Sequence, residues 1–249
     1  TDISTTKNTL SLHDALPILK ALEYSGRRDW ENAELMIKKA ENVAPNYFEV
    51  YKIKAFISAE NNNLLDAITS YRIAIENTQT ELELASVYYL FSVFYTIKLT
   101  DYILAKEFIE KADELSKNQP IITLEKGRVY MYLGEYENAR EVFEGINKSD
   151  LKTDKILNQY ASRLSDLYRR MAGNYNNRDK EKKHFYLKKA IDVINELTNV
   201  DPKTGVTLIR TLTDLTYNLS YEPSLDLFNS TFNRYIGIIQ NNKSNYIKN

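Results

Sequence analysis

The sequence predicts an all-α fold, a solenoid of antiparallel helix hairpins, and three observations lead there. Four times a bulky residue stands three places before an alanine on a helically patterned stretch: Trp30 before Ala33, Leu64 before Ala67, Tyr102 before Ala105 and Tyr136 before Ala139. The alanines lie 34, 38 and 34 residues apart, a period at which one hairpin cannot bury its own apolar face and needs a neighbour to do so. Glycine and proline are scarce, at 7 and 5 in 249 residues, which disfavours turn-dense β architectures and glycine-rich phosphate loops.

Taken in order, the apolar spacing is helical from Leu19 onward. Leu19 to Ser25 pairs with Trp30 to Val43, which Pro45 ends because proline cannot continue a helix. Phe48 to Ala59 and Leu64 to Ile75 follow, joined by Asn61, Asn62 and Asn63, residues that tolerate the left-handed conformation of a helix exit. The third pair is Leu84 to Ile97 with Tyr102 to Ser116. The fourth is Ile121 to Leu133 with Tyr136 to Ile146, and Gly134 between them can turn left-handed without a Cβ clash. Beyond residue 150 the period blurs while the helices continue. Leu157, Tyr160, Ala161, Leu164, Leu167, Tyr168 and Met171 form one stripe, and Leu187, Ala190, Ile191, Ile194 and Leu197 form another that ends before Pro202. A last pair runs from about Val206 to Leu219 and from Ser224 to Ile239, with Pro223 in a first turn.

The alanines have a packing reason. Ala33, Ala67, Ala105 and Ala139 fall where the two helices of a hairpin cross, and larger side chains would push them apart. Ala40, Ala74 and Ala112 do the same against the following hairpin.

This pattern resembles the tetratricopeptide repeat family. In the fourth hairpin Gly127, Tyr130, Gly134, Tyr136, Ala139 and Phe143 fall on the family pattern in order, with Ile146 replacing the usual alanine. Tyr51, Ala55, Ala67, Tyr71 and Ala74 match in the second, and Tyr24, Ala33, Ala40 and Pro45 in the first. The third departs: Tyr88, Phe91, Ser92 and Tyr95 fit only with one extra residue before Asp101. The resemblance covers about residues 20 to 148 and implies a right-handed superhelix of α-α hairpins.

A second resemblance concerns the start of the chain. Residues 9 to 18, Thr9 through Ile18, read without a gap like a translated sequencing adapter. That implies a non-native segment over residues 1–18 that stays out of fold reasoning, with the natural N-terminus missing. The expected organisation is therefore repeats over 19–148, divergent hairpins capping the same solenoid over 149–240, and a disordered tail over 241–249.

Composition narrows the function classes. A formal net charge of -1 and a pI near 6.2 give no global field for nucleic acid or an anionic membrane. No apolar run approaches the roughly 20 residues that span a bilayer, and the expected location is the cytoplasm. With no cysteine and two histidines, no metal site or cofactor is expected. No nucleophile, paired carboxylate or glycine loop stands out, so the expectation is a binding module and not an enzyme.

In the family it resembles, the first helix of each hairpin lines a groove that holds a peptide. Carried over by position, the groove is Lys52, Phe56, Ala59 and Glu60, then Tyr89, Val93 and Thr96, then Arg128, Met131 and Tyr132. Such a set suits apolar anchors oriented by a few charges, and it suits packing within the superhelix equally well. A clamp for a terminal carboxylate is disfavoured, because Phe56, Tyr89, Leu90 and Val93 stand where polar donors are needed. A second candidate is the basic stretch Arg169, Arg170, Arg178, Lys180, Lys182, Lys183, Lys188 and Lys189, whose Arg169, Arg170, Lys182 and Lys183 form a possible anion patch. Its competing reading is a solvated helix face, with His184 an ordinary surface residue. The expected role is a scaffold for a protein or peptide partner. The alternative is the sensor tail of a larger bacterial signalling hydrolase or helix-turn-helix regulator.

Overall fold

The structure, a computed structural model, describes the backbone of residues 12–175 and 179–246 and the side chains of 15–175 and 179–236. Among the described residues there are twelve α-helices and no strand. They run α1 (Leu12–Gly26), α2 (Trp30–Val43), α3 (Phe48–Glu60), α4 (Leu64–Glu76), α5 (Glu81–Phe94), α6 (Tyr102–Leu115), α7 (Pro120–Tyr132), α8 (Tyr136–Glu144), α9 (Asp154–Gly173), α10 (Lys180–Asn195), α11 (Pro202–Thr216) and α12 (Glu222–Tyr246). The chain forms two compact units, 1–125 and 126–249, and the division falls within α7.

In the first unit the hairpins α1/α2, α3/α4 and α5/α6 succeed one another, and the leading helices are neighbours, α1 against α3 and α3 against α5. Ala33, Ala67 and Ala105 are fully buried, as their place at the crossings requires, and Ala40, Ala74 and Ala112 are buried too. Larger side chains fill the space that these alanines leave. Ile18, Ile37, Val50, Ile53 and Ile57 form one core cluster, with Tyr24, Trp30 and Met36 packed on its edge. Further along, Phe91 lies 4.8 Å from Tyr71, 4.8 Å from Tyr95 and 4.4 Å from Phe108, ring centre to ring centre. These contacts tie α4, α5 and α6 through one aromatic cluster.

The hairpin turns share one device. Arg28, Asn62, Thr100 and Gly134 adopt left-handed backbones with φ of 59, 61, 52 and 79°. After three of them a helix-closing bond spans five residues: Asp29 N–H to the Tyr24 carbonyl at 3.0 Å, Asn63 to Ser58 at 2.8 Å and Glu135 to Tyr130 at 2.9 Å. In the third hairpin the equivalent bond, Asp101 N–H to the Tyr95 carbonyl at 3.1 Å, spans six. The reason is a π-helical turn, Tyr95–Leu99, that continues α5.

That turn explains the slipped repeat. The second helix starts 16 residues after the first in the hairpins that begin at Phe48 and Pro120, but 21 after it in the one that begins at Glu81. Four of these five residues extend the start of α5, and one lies ahead of Asp101, where the closing bond spans six residues and not five. The π turn takes up that one residue. Among the described residues, the segment Glu81–Leu99 is also long and apolar enough to cross a membrane, with a mean hydropathy of 1.2. The expectation that no run has that length is corrected accordingly. Its Ala85, Val87, Phe91 and Phe94 are buried in the first unit, and a capping box between Thr80 and Glu83 fixes its start.

In the second unit α8 packs on α9, α9 and α10 form a long hairpin, α11 packs on both, and α12 packs on α10 and α11. Gly127 and Phe143 sit so close that a Cβ on Gly127 would lie 2.5 Å from the ring. Leu187, Ile191, Ile194, Leu208 and Leu215 form the core cluster between α9, α10, α11 and α12, with Leu227 and Phe228 on its edge, and polar ties add to it. The buried Asn158 donates to the Asp154 carbonyl at 2.9 Å and the Asn199 carbonyl at 2.8 Å, and accepts from the Asp201 N–H at 2.9 Å. It thereby pins the start of α9 to the loop before α11.

Three boundaries differ by four residues or more from those the sequence predicts. Helix α1 starts at Leu12 and not Leu19, and it carries Pro17 in its interior, where a proline supplies no N–H to the helix ladder. Helix α11 starts at Pro202, capped by the Asp201 carboxylate on the Thr204 N–H at 2.7 Å, and not at Val206. Helix α12 runs to Tyr246, past the tail expected from Asn241; residues 247–249, like residues 1–11, lie outside the described residues.

Candidate functional site

In the first unit the ends of the leading helices enclose a cleft of about 750 Å³. Leu22, Ser25 and Gly26 of α1, Arg28 and Trp30 beyond it, Phe56 and Glu60 of α3, the Asn61–Asn62 turn and Lys98 of the π turn line it. Leu22 and Phe56 are exposed, at 37% and 42% of their surface. On the rim the Lys98 ammonium lies 2.9 Å from the Glu60 carboxylate.

Of the residues predicted for a groove in this unit, Phe56 and Glu60 line the cleft. Lys52 is half-buried, paired with Glu49 at 2.6 Å and set over the Phe48 ring at 5.2 Å, so its charge is committed within α3. Tyr89 and Val93 are half-buried on α5. Thr96 and Ala59 are buried, which corrects their expected exposure. The Thr96 hydroxyl donates to the Ser92 carbonyl at 2.9 Å, because the π turn rotates this residue into the interior. The Ser92 hydroxyl in turn reaches across the hairpin to the Ala105 carbonyl at 2.8 Å. Sequence reasoning missed Arg28, Trp30 and Lys98 as cleft residues. Arg28 sits in a turn, and Lys98 takes its position from the inserted residue.

In the second unit Tyr132 is exposed, Arg128 is half-buried and Met131 is buried, again correcting an expected surface position. The Arg170 guanidinium lies 5.4 Å over the Tyr132 ring, which joins the predicted groove to the predicted anion patch. The patch itself is reassigned. Arg169 pairs with Asp166 at 2.6 Å and with Asp214 of α11 at 3.0 Å, while Arg170 pairs with Asp166 at 2.9 Å. Two carboxylates thus neutralise two guanidiniums, and an incoming anion would have to displace them. Burial acts to raise the Asp166 carboxyl, but hydrogen bonds from Arg169 and Arg170 and their charge outweigh it and hold it below its ordinary value.

Lys182 pairs with Asp179 at 3.4 Å and lies 5.5 Å over the Tyr175 ring; Lys183 is half-buried, and Arg178 lies outside the described residues. His184 is a structural residue and not an ordinary surface one. Its Nδ1 is 3.0 Å from the hydroxyl of the buried Ser224 on α12. Burial, and then the Lys188 charge, lower its pKa. Among the described residues no group of three histidines, cysteines, aspartates or glutamates is arranged to hold a metal ion.

The family model of the tetratricopeptide repeat matches residues 85–119 and 124–152, which are the third and fourth hairpins, the π turn included. No curated protein matches the chain by sequence. Among solved structures, PilF of Pseudomonas aeruginosa superposes with a TM-score of 0.57 at 15% identity, covering 87% of this chain and 96% of that one. The C-terminal part of a tetratricopeptide repeat-containing protein from Cytophaga hutchinsonii gives 0.58 at 16% identity, over 88% and 81%. Cut9, solved as the Cut9–Hcn1 hetero-tetramer of the APC/C, gives 0.56 at 17% identity, over 88% of this chain and 42% of that one. At these identities the likeness concerns the fold. The chain therefore carries the tetratricopeptide repeat, matched over 85–119 and 124–152, in an all-α helical-repeat fold of the kind solved for tetratricopeptide proteins.

Proposed function

We propose that the chain is a non-catalytic scaffold for a protein or peptide partner, and that in the first unit the partner lies across the leading helices α1, α3 and α5. One observation carries this reading: the cleft presents Phe56 and Leu22 unburied between the ends of α1 and α3, with charged residues on its rim. Exposed apolar anchors ringed by charge are the usual composition of a peptide-binding surface. The assembly of Cut9 with Hcn1 shows that a fold of this kind can hold a protein partner.

The test is capture of peptides from a displayed library by the full chain and by a Phe56→Ala, Tyr132→Ala double variant. Truncating an apolar anchor costs about 2 kcal/mol, roughly a thirtyfold loss in affinity. Peptides selected on the parent chain should be lost by the variant at equal folding. Undiminished capture would mean that these faces do not hold the partner.

A further inference from the structure

We infer that the cleft of the first unit selects an extended internal peptide segment in which a large apolar side chain is flanked, two residues to either side, by acidic residues. The inference rests on the proposed peptide-binding role and adds the chemistry of the partner. Its apolar lining is Leu22, Trp30 and Phe56, set among polar residues. Its rim holds two cations, Arg28 on the α1 side and Lys98 on the α5 side, with Glu60 as the acidic rim residue.

The two cations are placed by backbone geometry. Arg28 is exposed in a left-handed turn with φ of 59°, and its N–H is bonded to the Ser25 carbonyl at 2.9 Å. Among the described residues it makes no ion pair, whereas the neighbouring Arg27 is taken up by Glu23 at 2.6 Å. Lys98 reaches the rim because the π turn inserts a residue ahead of it, and it rests on Glu60 at 2.9 Å. That pair is partly exposed, 23% for the lysine side chain and 43% for the glutamate, so a carboxylate arriving from solvent can take the place of Glu60.

The spacing follows from geometry. Packed helices lie about 8–10 Å apart, and Phe56 stands on the middle one of three neighbouring leading helices. In an extended peptide, residues two apart face the same way at about 6.7 Å. An apolar residue over Phe56 therefore brings residues two places before and two places after it toward Arg28 and Lys98. Charge complementarity makes those residues acidic.

The test uses the full chain and the intrinsic fluorescence of Trp30, the single tryptophan of the sequence, which lines the cleft. Three blocked nine-residue peptides with Gly-Ser ends serve as probes. Their cores are Glu-Ala-Phe-Ala-Glu, Gln-Ala-Phe-Ala-Gln and Glu-Ala-Ala-Ala-Glu. At low salt the first should bind at least tenfold more tightly than either of the others. An Arg28→Ala, Lys98→Ala variant with an unchanged melting temperature should lose that preference for glutamate over glutamine. Glu60→Gln, which frees Lys98, should bind the first peptide several-fold more tightly.

Equal affinity for the glutamate and glutamine peptides would overturn the inference. If that shared binding is still lost in Phe56→Ala, the groove stands and only its acidic preference falls. Failure of all three peptides to bind would also overturn it, while the library capture described above judges the groove separately.

Discussion

Both units hold their helices together by apolar packing, but they differ in what is added to it. In the first, small residues at fixed places let helices approach, and interchangeable apolar side chains fill what is left: fully buried Ala33, Ala67 and Ala105 at the crossings, isoleucines and an aromatic cluster around them. Beyond α8 the second unit keeps an apolar core of Leu187, Ile191, Ile194, Leu208 and Leu215 and adds particular hydrogen bonds and ion pairs to it. Asn158 binds the loop before α11, Arg169 ties α9 to α11 through Asp214, and Ser224 binds both His184 and Asn218. The added polar ties contribute to the fading of the repeat. Close approach demands a small residue at a periodic position, whereas a polar tie demands one residue at one place and leaves no period behind.

The largest effect that separates the two modes is expected at Asn158. Replacing it with alanine removes its three hydrogen bonds to the Asp154 carbonyl, the Asn199 carbonyl and the Asp201 N–H, each worth about 0.5–1.5 kcal/mol. Chemical denaturation of Asn158→Ala should show a loss of about 2–4 kcal/mol in all. A loss no greater than that of an exposed substitution would mean that apolar packing alone holds this region.

Next comes the part of the second unit that does follow the repeat. Gly127→Ala drives a Cβ to 2.5 Å from the Phe143 ring, which is fully buried and has little room to move. Such overpacking costs about 1–3 kcal/mol. Gly173→Ala at the end of α9 meets nothing within 4 Å and should be neutral or stabilising by up to about 1 kcal/mol. Equal melting temperatures for these two variants would contradict the close approach.

The smallest effect concerns pH. The Asp166 carboxyl is held below its ordinary value of about 3.9 in the folded unit. As pH falls past that value the unfolded chain gains a proton that the folded one refuses. The stability this carboxylate brings is therefore full at neutral pH and is lost as pH falls through the lower folded value. Partly exposed arginines face it, so its worth is at most about 1 kcal/mol. Denaturation midpoints followed from pH 7 to pH 3 should fall more steeply for the parent chain than for Asp166→Asn. Parallel curves would remove the linkage.

Much of the fold was legible because helix starts carry strong local signals. Trp30, Leu64, Tyr102 and Tyr136 open α2, α4, α6 and α8, where the bulky-to-alanine spacing places them. The start of α11 was not legible, since Pro202 and its polar first turn carry no apolar stripe and only the Asp201 cap marks the true beginning. The one-residue slip in the third hairpin was visible in the sequence, but its form, a π turn that buries Thr96 and presents Lys98, was not. The site was legible to the same degree. Phe56 and Tyr132 lie open as the helical face predicts, while Met131 and Thr96 turn inward and the arginines of the basic stretch turn out to be neutralised.

The central claim is that a partner lies on the leading helices of the first unit. Backbone amide exchange of the full chain, with and without a library-selected peptide, tests it most directly. Slower exchange at the ends of α1 and α3 and over Tyr95–Leu99, with α2, α4 and α6 unchanged, is the predicted result. Protection confined to α2, α4 and α6 would contradict the account.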